Sequence, residues 1–145
     1  MGITAAFTAR EVQRYIREKV SAQKQVIKNR LIRIGNRYVI DARTKADFTD
    51  RTGNLRSAIG FVLMEDGTQV HSNFETSARG SEREKGKLEG FAIANNLAEE
   101  YMRGFVLVVV AGMEYAASVE SQGKDVITGS SIEAKNSLQR YFTAR

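Results

Sequence analysis

Proline is absent from all 145 residues, and the N-terminal third uses that freedom for one long helical pattern. Thr8 followed by Glu11 is a capping box, in which each side chain satisfies a free backbone N–H at the helix start. Val12, Ile16, Val20, Ile27, Leu31, Ile34 and Tyr38 then recur at near-helical spacing, with Arg and Lys between them and a weaker seam at Gln23–Gln25. The spacing predicts a helix from Ala9 to Arg43, about 52 Å long at about 1.5 Å per residue. A compact domain of this size is roughly 40 Å across. Such a helix must overhang or break, and Gly35 is where a break or bend would fall, because glycine weakens a helix interior by about 1 kcal/mol. An overhanging amphipathic helix needs something to lie against, which points to oligomerisation.

The helix is also where the charge lies. Residues 1–45 hold 11 Lys/Arg against three acids, a balance of +8, while residues 46–145 hold 11 Lys/Arg against 14 acids, a balance of −3. A basic third on a mildly acidic body implies an anionic partner, either nucleic acid or the acidic face of another protein. Arg10, Arg14, Arg17, Lys24, Lys28 and Arg37 are the candidate interaction surface; they supply charge for phosphates but no recognition motif and no aromatic stacking platform.

Composition removes several kinds of chemistry. With 42% hydrophobic and 27% charged residues the chain is globular in character. The absence of cysteine excludes disulfides and thiol catalysis, and one histidine excludes a multi-histidine metal centre within a chain. No apolar run approaches the roughly 20 residues of a membrane helix. The start lacks a secretory pattern, and Ala6 stands where myristoylation expects Ser or Thr. The expectation is a soluble protein made in the cytoplasm, with no membrane partner.

The remaining pattern predicts one α+β domain over residues 1–145, with an antiparallel or mixed sheet. Asp50–Asn54 is turn chemistry, and Leu55–Ile59 leads into a strand. Ile59–Glu65 and Thr68–Phe74 flank Asp66-Gly67, a strong hairpin signal. Residues 75–90, rich in Gly, Ser and charge, read as a long exposed loop that is either mobile or ordered on a partner. Phe91–Arg103 reads as a helix with Phe91, Ala94, Leu97, Ala98 and Tyr101 on one face and Gly104 as its stop. Phe105–Ala111 is expected as a central buried strand. Tyr115–Ser121 fits a short helix or strand, and Val126–Thr128 a short strand. Ser130 with Glu133 makes a second capping box, opening a last helix through Ile132, Leu138, Tyr141 and Phe142.

No enzymatic constellation is present. His71 sits on a presumed strand without a nucleophile elbow and is expected to be structural and partly exposed. Gly80–Lys87 is one residue too long for a phosphate loop, and Leu88 occupies the magnesium-binding position. Glu82, Glu84 and Glu89 have nothing to tune them for acid–base work. Glu99 and Glu100 point apart on a helix and make poor joint ligands. No catalytic residue, metal site or cofactor is expected.

The segment Asp50 to Ile59 carries more than a turn. Thr52, Gly53, Asn54, Leu55, Arg56 and Ile59 spell Thr-Gly-Asn-Leu-Arg-x-x-Ile, between a long N-terminal helix and a first strand. Further on, the hydrophobic run Val106–Ala111 is followed by Tyr115, Ala116, Val119 and Glu120, as Tyr-Ala-x-x-Val-Glu, then Gly123. These paired landmarks resemble the small head–tail neck family of long-tailed phages, variously called tail-completion, minor tail or tail-component proteins. The chain departs from that pattern in having no proline before the Thr-Gly turn and in placing its later glycine two positions late. Physically, Thr52 or Asp50 can close the turn, Gly53 can take a positive φ, Leu55 can anchor in the core, and Arg56 can reach a carboxylate such as Glu120.

The resemblance implies a non-enzymatic virion protein made in the host bacterial cytoplasm, joining head to tail. Its partners would be copies of itself, with a ring as the implied homo-oligomer, together with the portal-side connector and tail proteins; DNA would pass it in the channel. In that reading the motif residues hold the helix-to-sheet junction. The alternative from the residues themselves is a small nucleic-acid-binding protein using the basic helix.

Overall fold

The computed structural model describes residues 2, 4, 6–45, 48–112 and 128–143. By their internal contacts the residues form two compact units, Met1–Arg30 and Leu31–Arg145. The elements run α1 (Ala9–Thr44), α2 (Asn54–Ser57), β1 (Ile59–Glu65), β2 (Thr68–Phe74), α3 (Arg83–Ala98), β3 (Phe105–Ala111) and α4 (Thr128–Thr143). The class is α+β, as the pattern predicts, and the described sheet is wholly antiparallel with strand order β2-β1-β3.

α1 begins at its expected cap. The Thr8 backbone N–H donates to Glu11 Oε2 at 2.6 Å, and the Glu11 N–H donates to Thr8 Oγ1 at 3.2 Å. In the first unit every residue of α1 from Ala9 to Val26 is exposed. In the second, Leu31, Ile34, Tyr38, Val39 and Ala42 are buried. Of the two alternatives at Gly35, a break or a bend, no break falls there: α1 is continuous through it. A Cβ there would stand 2.8 Å from the Phe61 ring, so glycine serves a close approach of helix to sheet.

The hairpin falls where Asp66-Gly67 places it. Both turn residues have positive φ, 49° and 78°, as a type I′ turn requires. Leu63 pairs with His71 but Met64 with Gln69, so Val70 is an extra residue in β2, a bulge that re-aims the strand. Alternation along β1 divides the core. Phe61 faces α1 beneath Gly35, while Val62 and Met64 pack with Ala94 and Ala98 of α3. Tyr38 crosses to the sheet, its hydroxyl donating to the Val110 carbonyl at 3.1 Å. Phe74 and Phe91 meet edge to face at 5.7 Å between centroids.

Several expectations are corrected. The lead-in to the first strand contains a short helix, α2, which takes in Leu55 to Ser57, while the strand itself runs Ile59–Glu65 as expected. The expected loop over residues 75–90 is shorter, because α3 already begins at Arg83 and ends at Ala98 rather than Arg103. Its buried stripe is Gly86, Gly90, Ala94 and Ala98, while Leu97 and Tyr101 are exposed. Here tight packing of small residues overrides the helix-weakening effect of glycine. Gly104 does not stop that helix; with φ 70° it turns the chain into β3. In the described sheet β3 lies outermost and is mostly half-buried, whereas β1 is between two strands. α4 opens at Thr128 rather than at the Ser130 box; Ser130 is buried, and Glu133 accepts from Lys45 Nζ at 3.1 Å. The expectations for Tyr115–Ser121 and for Val126 and Ile127 lie outside the described residues.

Candidate functional site

The Thr52–Ile59 string builds a tight junction between the end of α1, the hairpin and α3. Gly53 takes φ 73°, which only glycine adopts at little cost, and starts α2. Asp50 closes the turn by accepting the Arg56 backbone N–H at 2.8 Å. Ser57 Oγ donates to the Gly53 carbonyl at 2.5 Å and accepts the Ser77 N–H at 2.7 Å, joining the turn to the chain beyond the hairpin. Leu55 and Ile59 are buried, as expected of anchors.

A second strand of chain crosses the turn directly. The Glu82 N–H donates to the Thr52 carbonyl at 3.0 Å. A Cβ on Gly53 would run into the Arg79 carbonyl, and one on Gly80, whose φ is 111°, into that of Thr52. Asn54 is buried and donates through Nδ2 to Glu82 Oε2 at 3.3 Å. Gly86 and Gly90 bring α3 against the Asn54 and Ala58 backbone.

Arg56 turns toward α1. Its guanidinium donates to the Arg43 carbonyl and, at 3.4 Å, to the Phe48 carbonyl, and lies 5.0 Å from the Phe48 ring centroid. Planar donors over an aromatic face suit arginine rather than lysine. The suggested partner Glu120 lies outside the described residues, with Tyr115, Ala116, Val119 and Gly123. Arg43 itself bonds the Glu75 carbonyl and faces its carboxylate at 3.7 Å. Burial pushes the Arg43 guanidinium below its usual basicity, Glu75 opposes that, and nearby Arg56 adds to it. The described bonds tie the turn to α1 and to the chain beyond the hairpin through backbone carbonyls and carboxylates, while Arg43 Nε and Asn54 Oδ1 are buried without a hydrogen-bond partner.

The basic candidates do not form one cluster. Arg10, Arg17 and Lys24 are exposed and seven residues apart, so they line one flank of α1, with half-buried Lys28 close to that row. Arg14 turns further round and lies 3.9 Å from Glu18. Arg37, in the second unit, bonds Asp41 at 3.0 Å. His71 stacks on Phe61 with centroids 5.7 Å apart, partly buried. Residues 80–87 divide between a connection and the start of α3.

Sequence reasoning missed Arg43, Gly80, Gly86 and Gly90. The four-residue spacing of Gly86 and Gly90 was the available signal, since on a helix it puts both on one face. Among the described residues no helix is long and apolar enough to cross a membrane. Comparison with protein-family models, with curated proteins and with solved structures finds no match to this chain.

Proposed function

We propose that this chain is a non-enzymatic structural protein of a phage or prophage virion, acting in head–tail joining or tail completion by oligomeric assembly. The observation that carries this reading is the Thr52–Ile59 string: in the family it resembles, the same string stands between a long helix and a first strand. Here it forms a buried hydrogen-bonded junction at that place. A hydrogen-bonded junction of this kind in the second unit, and an exposed amphipathic helix in the first, suit packing against neighbours rather than turnover of a substrate. In this reading the protein is made in the host cytoplasm and ends in the virion, against portal-side and tail proteins.

Deletion of the gene from its phage or prophage tests the reading. The expected lysate contains DNA-filled heads and separate tails by electron microscopy, and supplying the chain in trans restores joined particles. Normal particles without the chain would overturn it.

The row of Arg10, Arg17 and Lys24 favours a second reading, nucleic-acid binding through phosphates. Titration with duplex DNA across salt decides it: steeply falling affinity supports it, and no binding at low salt removes it.

A further inference from the structure

The first half of α1 carries two chemistries side by side. Val12, Ile16 and Val20 follow at four-residue steps and are 38%, 53% and 50% exposed, an apolar stripe facing solvent. Arg10, Arg17 and Lys24 run along one flank of it, and the two acids of this stretch, Glu11 and Glu18, lie on the far side of the helix. The partner of such a stripe must be apolar in the middle and anionic around it. A second copy of the same stripe is not that partner, because residues 9–30 hold seven Lys/Arg against those two acids and would repel their like.

The second unit holds the complement. Leu97, Tyr101 and Met102, at the end of α3 and just beyond it, are 44%, 55% and 66% exposed, with exposed Glu99 and Glu100 between them. Met102 lies over the hairpin turn, its Cε 3.1 Å from where a Gly67 Cβ would stand. Asp66 in that turn is exposed and tied to Gly104 by two hydrogen bonds of 2.9 Å. Met102 thus brings this segment to the turn that carries Asp66, so three exposed carboxylates, Glu99, Glu100 and Asp66, share the neighbourhood of these apolar side chains, with Arg103 beside them in sequence. The carbonyl end of α3 adds further negative potential at the same place.

We infer that the Val12–Val20 stripe of one copy docks on the Leu97–Met102 patch of the next copy. The inference rests on the oligomeric reading above and names the two surfaces that would make the contact. Because they differ, each copy offers one and receives the other, the head-to-tail arrangement that propagates into a ring or a filament. Apolar burial supplies attraction, and the basic row against Glu99, Glu100 and Asp66 sets register and excludes helix-to-helix pairing.

Sedimentation velocity on the full chain, at about 50 mM and about 500 mM NaCl, tests the contact. Association is expected at low salt and should weaken by about tenfold or more at high salt, because the facing charges are opposite. Pairing of like-charged helices would strengthen instead. Ile16→Ser with Val20→Ser on one chain, and Glu99→Lys with Glu100→Lys on another, should each be monomeric. Mixed, they should form a one-to-one complex and nothing larger, since only one intact contact remains between them. All four positions are exposed, and unchanged urea midpoints would show that the variants fold. A wild-type chain monomeric at about 1 mM, association that grows with salt, or association indifferent to both variants would overturn the inference. None of these results touches the deletion phenotype, so the virion reading stands or falls separately.

Discussion

Gly35 and Phe61 meet where α1 crosses the sheet, with room for a hydrogen and none for a methyl group: a Cβ would stand 2.8 Å from the ring. Phe61 is fully buried. Alanine would raise helix propensity by about 1 kcal/mol, but overpacking a closed core costs about 1–3 kcal/mol. Gly35→Ala should therefore lower stability in urea unfolding. Adding Phe61→Leu should recover part of the loss, since the two changes share one contact. A Gly35→Ala protein more stable than the parent would show that the ring yields.

Arg56 should not accept lysine. Lys keeps the charge but loses the planar fork that reaches the Arg43 and Phe48 carbonyls and lies over the Phe48 ring. Arg56→Lys is expected to cost about 1–2 kcal/mol in denaturant unfolding, with little change under added salt because the bonds are to carbonyls. A strongly salt-dependent loss would point to a carboxylate partner instead.

The buried bond from Tyr38 to the Val110 carbonyl gives a narrower test. Tyr38→Phe removes one oxygen and leaves that carbonyl without this donor. The expected cost is about 1–2 kcal/mol, with faster amide exchange in β3 as the local sign.

The start of α1 should respond to acid. The Thr8 backbone N–H, then its hydroxyl, hold the Glu11 carboxyl below its ordinary value. A carboxyl depressed in the folded state stabilises above its unfolded value, about 4.3 for glutamate, and that contribution is lost as pH falls through the folded value. The protection of the first-turn amides, relative to their intrinsic exchange at the same pH, should fall as pH drops below the ordinary glutamate value, and Thr8→Ala should lower it at neutral pH and flatten the acid response. Equal exchange with and without Thr8 would remove the capping box.

Legibility in the sequence followed the range of the interaction. The Thr8–Glu11 cap, the α1 stripe and the Asp66-Gly67 hairpin depend on residues a few positions apart, and all were visible. The Asp50–Ile59 turn was recognisable, but its partners were not: Ser77, Gly80 and Glu82 reach it only through the fold. Gly86 and Gly90 looked like loop residues because their benefit, letting α3 close on Asn54 and Ala58, is tertiary. Phe105–Ala111 looked central because hydropathy reports burial on both faces and not which strand of the described sheet lies between two others. The shared flank of Arg10 and Arg17 follows from their seven-residue spacing, but that Arg37 is taken up by a bond to the buried Asp41 depends on how the end of α1 packs.

Ala58, Gly90 and Gly112 touch backbone to backbone. Gly112 donates its N–H to the Ala58 carbonyl at 3.0 Å, and Cβ atoms on Gly90 and Gly112 would run into Ala58 and Gly90. Three segments separated by more than twenty residues thus close together, so the contact forms only after two sizeable chain loops have been shut. The hairpin can zip early from its turn; this crossing must wait for α3 and β3 to arrive. Once made, it couples their loss: releasing any one segment uncovers the other two, so α2, α3 and the end of β3 should open as one event rather than fray in turn.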